Sequence, residues 1–193
     1  MAFSDAGNNA MLDALGALAT HVGMFTGATA LTGVTGEADT DVLTKASHLL
    51  EDGDVVVFTA LTGGTGLKTL KPYFVRDMSG STFKLAGVSG GAALNFTDDI
   101  TDATLQKITE WTGGDPAYAR VAIAFAAAAL GVLDDSTNGA AFNAPAGAKS
   151  TFVGFFSAST NGTLYAVDDL TEETFAGQGT YTLTDAKMNL NGA

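Results

Sequence analysis

The chain contains no cysteine, which excludes disulfides, thiolate metal sites and a cysteine nucleophile together. Basic residues are scarce as well. Nine Lys and Arg stand against 21 Asp and Glu, giving a formal net charge of −12. Nucleic acid and anionic membrane surfaces repel such a chain, and no Lys/Arg cluster offers a local exception. The simplest reading of the charge is solubility and suppression of stray association. No apolar run reaches the roughly 20 residues of a membrane span, so no membrane insertion is expected. The opening Met1-Ala2-Phe3-Ser4-Asp5 has no basic start, and no secretory signal is expected from it.

Histidine is limited to His21 and His48, far apart in the sequence. A serine–histidine–acid site would need one of them, and no G-x-S-x-G elbow is present; His21 reads as a half-buried strand residue. Gly63-Gly64-Thr65-Gly66-Leu67-Lys68-Thr69 superficially suggests a phosphate loop. It fails on spacing, because lysine and hydroxyl must directly follow the last glycine to reach phosphate and magnesium together. A turn between strands is the better reading. The acidic pairs Asp98-Asp99, Asp134-Asp135, Asp168-Asp169 and Glu172-Glu173 lack the spacing of a calcium loop, and read as solvated loops and caps. Their separation, the quantity that would matter for glycoside hydrolysis, is not given by sequence. Asn95-Phe96-Thr97 and Asn161-Gly162-Thr163 fit a glycosylation sequon, and the second is preferred as a turn. The expectation is therefore no enzyme, no cofactor and no metal.

What the chain does have is glycine, threonine, alanine and aromatic residues in short alternating runs. Its 193 residues suffice to bury roughly 70% of the unfolded surface around a core without staples. A helix over about 5–19 comes first. Ser4 or Asp5 is placed to cap it, since a side-chain oxygen there accepts from the orphan first-turn N–H groups. Met11, Leu15 and Leu18 recur at helical spacing, with Leu12 and Val22 alongside and Asn8, Asn9 and Asp13 on the other side. One stripe thus faces a core or a partner. Thr20–Phe25 reads as a strand, with Val22 and Met24 on one side, and Gly27–Gly36 as a linker.

From Asp39 to Lys107 the pattern is that of a compact β unit. Asp54–Phe58 is a β-branched strand behind the Asp52-Gly53 turn. Lys71–Val75 and Ser81–Leu85 form a hairpin around Ser79-Gly80, and Ala92, Leu94 and Phe96 alternate to close the sheet. A second linker is read over Trp111–Pro116. Strands then resume around Val121, Ile123 and Phe125, over Phe152–Phe156 and Thr163–Val167, at Tyr181 with Leu183, and over Ala186–Leu190. Asn138-Gly139 and Asn161-Gly162 supply residues that tolerate positive φ in hairpin turns. The run Ala126–Ala129 fits either a strand or a helical turn. The fold class expected is mainly β: an antiparallel β-sandwich of residues 1–35 and 111–193 with a short N-terminal helix, carrying a small β-barrel-like domain inserted over 36–110.

Asn9-Ala10-Met11-Leu12-Asp13-Ala14-Leu15 and Ala19–Thr26, then Gly113–Arg120, Phe142–Gly147 and Glu173–Thr184, resemble in that order a family of bacteriophage virion proteins. These are minor tail or tail-fibre-associated proteins of phages with long non-contractile tails. The resemblance covers residues 5–26 and 111–193. The stretch between replaces a short loop and itself looks like a small β module of phage tail and adhesion proteins.

The resemblance implies a non-enzymatic virion component made in the bacterial cytoplasm. It implies a homo-oligomer, often a trimer around a tail or capsid axis, in contact with other virion proteins. Capsid decoration is the close alternative position. For this work Met11, Leu15 and Leu18 are the candidate docking stripe, with an intramolecular core role standing beside it. A different function would make the insert a carbohydrate- or host-receptor-binding module. Tyr73, Phe74 and Trp111 are its candidate contacts if exposed; if buried, they fill a core instead.

Overall fold

A computed structural model describes residues 5–136 and 139–189. In chain order the elements are α1 (Asp5–Leu18), β1 (His21–Gly27), β2 (Leu31–Glu37), β3 (Val42–Thr44), β4 (Val55–Gly63), β5 (Tyr73–Ser79), β6 (Thr82–Ala86) and β7 (Ile100–Glu110). There follow β8 (Val121–Ala122), β9 (Val132–Asp134), β10 (Ala140–Ala144), β11 (Lys149–Phe156), β12 (Leu164–Thr174), β13 (Gly179–Leu183) and β14 (Lys187–Asn189). The protein is mainly β with one short helix. It divides into two units: residues 1–25, 110–165 and 170–193 form the first, and 26–109 with 166–169 the second.

The second unit is a closed antiparallel barrel of six strands in the order β7-β2-β3-β6-β5-β4, with β4 returning to pair with β7. Alternation places Val34, Leu43, Val56, Phe58, Tyr73, Val75, Phe83, Leu85, Ile100 and Leu105 inside. The hairpin expected around Ser79-Gly80 forms, with Val75 opposite Leu85 and Gly80 at φ +62°. Two readings of this stretch need correction. The supposed linker is strand β2, in which Val34 and Gly36 point inward. Its glycines disguise the alternation, and its pairing with β7 shifts register twice. The segment with Ala92, Leu94 and Phe96 adds only an isolated bridge, Ala93 to Ala86. The closing strand is instead β7, where buried Ile100, Ala103, Leu105 and Ile108 are interleaved with charged residues.

Loops at one end of the barrel are tied by carboxylates. Asp41 accepts from Phe96 N–H, Asp99 from Ala38 N–H and Asp98 from Thr65 N–H. The Thr65 hydroxyl and N–H hold the Asp98 carboxyl below the usual carboxylate range. Gly63, which ends β4, and Gly64 and Gly66 in the turn that follows all take positive φ.

In the first unit β1 pairs with β11, from His21–Phe156 to Phe25–Phe152, and with β8. Separate ribbons join β10 to β13 and β9 to β14. The helix opens at Asp5, and Ser4, the other capping candidate, lies outside the described residues, as do Asn138 of one expected turn and Leu190 of the last strand. Asn161 takes φ +53° in its turn. The second linker holds over 112–116, which are exposed and outside any strand, but not at Trp111. That residue is buried, and its indole N–H donates to the Lys149 carbonyl at 3.0 Å. Around it stand Tyr118, Phe175 and Tyr181, with ring centroids 5.8–6.3 Å away and edge-on, the arrangement ring quadrupoles favour.

Candidate functional site

The helix seats on the first unit through its less obvious side. Leu12 and Ala19 are fully buried. A Cβ on Gly16 would stand 2.7 Å from a methyl of Leu133, so the glycine is what lets helix and β9 approach. Two polar side chains complete the seat. Asn9 Oδ1 accepts from Gly131 N–H at 2.9 Å, and Asp13 Oδ1 from Ala128 N–H at 2.6 Å. These bonds satisfy donors of the irregular run 126–131, which has few ladder partners.

The stripe Met11, Leu15 and Leu18 consequently points away from the seat. Met11 is 41% and Leu18 53% exposed, with Leu15 half-buried. The helix is apolar on two sides, and the side holding Leu12 and Gly16 forms the intramolecular contact. Truncating Leu12 to alanine is expected to destabilise this unit by about 2–4 kcal/mol, as for other buried leucines. Met11→Ala and Leu18→Ala are expected to stay within about 0.5 kcal/mol, as for surface positions. Urea unfolding of the three variants measures the difference. Equal losses would mean the stripe is core.

Between the helix and the run 123–127 lies an open cleft of about 350 Å3, lined by Asp13, Gly16, Ala17, Thr20, Ile123–Ala127 and Leu133. Glycine and alanine make half of its lining, and Ile123, Phe125 and Leu133 the larger apolar part. Leu130, three residues beyond Ala127, is 83% exposed and takes φ +52°.

A second cluster of the same unit joins three polar side chains. Arg120 forms a two-pronged pair with Glu110, Nε to Oε1 at 2.7 Å and Nη2 to Oε2 at 2.8 Å. Its third arm donates to the Ala158 carbonyl, and the guanidinium carbon lies 3.4 Å from the Phe156 ring centroid. Tyr118 O–H donates to Glu110 at 3.1 Å while accepting Met24 N–H at 2.8 Å. Gly23 lies underneath, where a Cβ would come within 2.8 Å of the Tyr118 oxygen. Every prong of this cluster is satisfied internally, and its chemistry is that of a structural tie.

Burial and the Glu110 charge push the Tyr118 hydroxyl well above the tyrosine range, and burial raises Tyr73 and Tyr181. A phenol whose folded value is raised contributes stability that is complete below the unfolded value near 10 and is lost as pH rises toward the folded one. Ultraviolet titration should therefore show these tyrosines ionising late, with cooperative alkaline unfolding above about pH 10. Simple titration of all tyrosines near 10 without unfolding would contradict the burial.

The proposed ligand contacts on the insert are placed otherwise than sugar stacking requires. Tyr73 is fully buried inside the barrel, its oxygen accepting Lys68 N–H at 2.7 Å and its ring edge-on to Phe58. Phe74 is half-buried on the same strand, and Trp111 belongs to the first unit's core. Burial is favoured because each ring removes a large apolar area from water. His21 is half-buried in β1, with Nδ1 3.0 Å from the Thr20 hydroxyl. His48 lies buried in the barrel unit against Phe83. Among the described residues no group of three or more His, Asp or Glu is placed to hold a metal ion.

Sequence reasoning missed the cleft and Leu130. The one available signal was a large apolar residue directly before Gly131, at a turn. No protein-family model matches the chain, and neither a curated protein nor a solved structure matches it significantly.

Proposed function

We propose that this chain is a non-enzymatic structural component of a bacteriophage particle, assembling by protein–protein contacts as a minor tail or fibre-type protein. The observation that carries the reading is the helix face of Met11, Leu15 and Leu18, which the fold leaves outside its own core. Apolar residues at one face of a surface helix serve a packing partner when the molecule itself supplies none. The resemblance over residues 5–26 and 111–193 supports the same assignment. In this reading the first unit is an antiparallel β-sandwich body, supported by the buried faces of β10 and β11. The partners are copies of the chain and other virion proteins.

Peptide mass spectrometry of purified particles of the encoding phage tests the assignment. Recovery of this chain at a fixed copy number supports it, with labelled antibody separating tail from a decorating position on the capsid. Absence of the chain from intact particles would overturn it.

A further inference from the structure

Resting on the assembly reading above, we infer that the outer face of α1 and the turn at Leu130 form a self-association surface, in which Leu130 of one copy seats in the cleft of a second copy. Leu130 is the side chain of the first unit that the fold itself explains least. At φ +52° its Cβ is crowded, and glycine or asparagine is the residue such backbone favours. At 83% exposure its side chain buries little in return. Gly131 beside it, at φ +75°, already supplies left-handed freedom to the turn. An observed backbone outlier of this kind is a pointer to a role outside the monomer. Leu49 of the barrel unit shares both properties; Leu130 is singled out because residues on either side of it in the chain, Ala126, Ala127 and Leu133, line a hollow.

That hollow complements the protrusion. It measures about 350 Å3, and Ile123, Phe125 and Leu133 give it apolar walls beside the smaller Gly16, Ala17 and Ala126, with Asp13 at its edge. A cavity of roughly 150 Å3 already accepts a benzene-sized guest, so a leucine side chain enters without displacing its walls. Protrusion and hollow on one chain let copies bind one another, as a closed dimer where the two contacts are reciprocal and as a ring or open chain where they are not.

Charge selects the occupant. The chain is at −12, and copies repel wherever their acidic surfaces meet. α1 and residues 121–133 together carry two of the 21 acidic residues, Asp5 and Asp13, and no basic residue. Repulsion between copies is therefore weaker across this surface than across the acidic remainder, to which a basic partner is drawn instead. The area sets the strength. A 14-residue helix is about 21 Å long, and its face with the adjoining turn covers a few hundred Å2, short of the roughly 800 Å2 per partner of a stable complex. The contact is therefore weak for free chains, with a dissociation constant on the order of 0.1 mM, and becomes persistent when many copies are held on one particle.

Sedimentation of the full chain from about 10 µM to 1 mM, a range chosen to bracket that estimate, tests this. The mean mass should rise with concentration, and rise further with salt, which screens the repulsion. Leu130→Asn removes the protrusion while suiting the left-handed backbone, so it should remain monomeric throughout and melt no earlier than the parent. Ala127→Gln, which fills the hollow without changing charge, should weaken association at least tenfold. A parent chain that is monomeric across the whole range at high salt overturns the inference, as does a Leu130→Asn variant that associates like the parent. A monomeric chain that is nevertheless recovered from particles would leave the structural assignment standing and give this surface to a neighbour of different sequence. A self-associating chain absent from particles would do the reverse.

Discussion

Replacing Arg120 by alanine is expected to destabilise the first unit by about 3–5 kcal/mol, the range for breaking a buried pair from one side. The guanidinium and the Glu110 carboxylate are 13% and 25% exposed as side chains, so removal of one strands the other in a poorly solvated place. The Ala158 carbonyl loses its donor at the same time, and Glu110 keeps only the Tyr118 hydroxyl. Arg120→Lys should recover only part of the loss, since an ammonium cannot form both prongs or lie flat on Phe156. The cleanest comparison is Arg120→Met with Glu110→Leu. Removing both charges for apolar groups of similar size should cost far less than either single change. Trp111 is the sole tryptophan and lies in this unit, so urea unfolding followed by its fluorescence reads the unit directly. A loss below about 1 kcal/mol for Arg120→Ala would place the pair among solvated surface bridges and refute its role as the tie.

Gly63→Ala is expected to be the most damaging single-methyl change in the barrel, costing about 3 kcal/mol or more, because backbone strain and a steric clash combine there. Gly63 closes β4, opposite Ile100 at the start of β7. Its φ is +86°, and a Cβ would lie 2.0 Å from the Asp99 carbonyl oxygen. That oxygen is backbone and has nowhere to go without opening the β4–β7 seam. Gly53→Ala is the matched control: φ is +94° there, with nothing within 4 Å of an added Cβ. It should show the left-handed penalty alone, about 1 kcal/mol. Thermal melting followed by far-ultraviolet circular dichroism compares them. Similar losses in the two variants would mean that the seam gives way easily.

Where β-branched and aromatic residues follow one another without a polar break, as in Val55–Phe58 or Phe152–Phe156, the strand is visible in the sequence alone. It is hidden where inward positions are glycine or where charged residues sit among the inward ones. Inward Gly36, with exposed Gly33 beside it, made β2 look like a linker, and Asp102, Lys107 and Glu110 masked β7. Both failures concern positions whose environment is set by strands distant in the chain. The helix was legible as an element, but not which of its two apolar sides would turn inward. That choice depends on Leu133 meeting Gly16, and on Asn9 and Asp13 serving as anchors rather than as a solvated face. The cleft is a property of spacing between segments more than a hundred residues apart, which no local pattern encodes.

The seam between β4 and β7 also bears on life at high local density. An open sheet ends in strands with unspent donors and acceptors, and each such margin can recruit another chain into a growing fibril. A cylinder has no margin. Packed side by side in an array, barrel units of this kind offer one another only side chains, so crowding does not turn into polymerisation through the backbone. Opening the seam, as Gly63→Ala should, would expose two such margins at once, and aggregation rather than simple unfolding is the failure to look for in that variant.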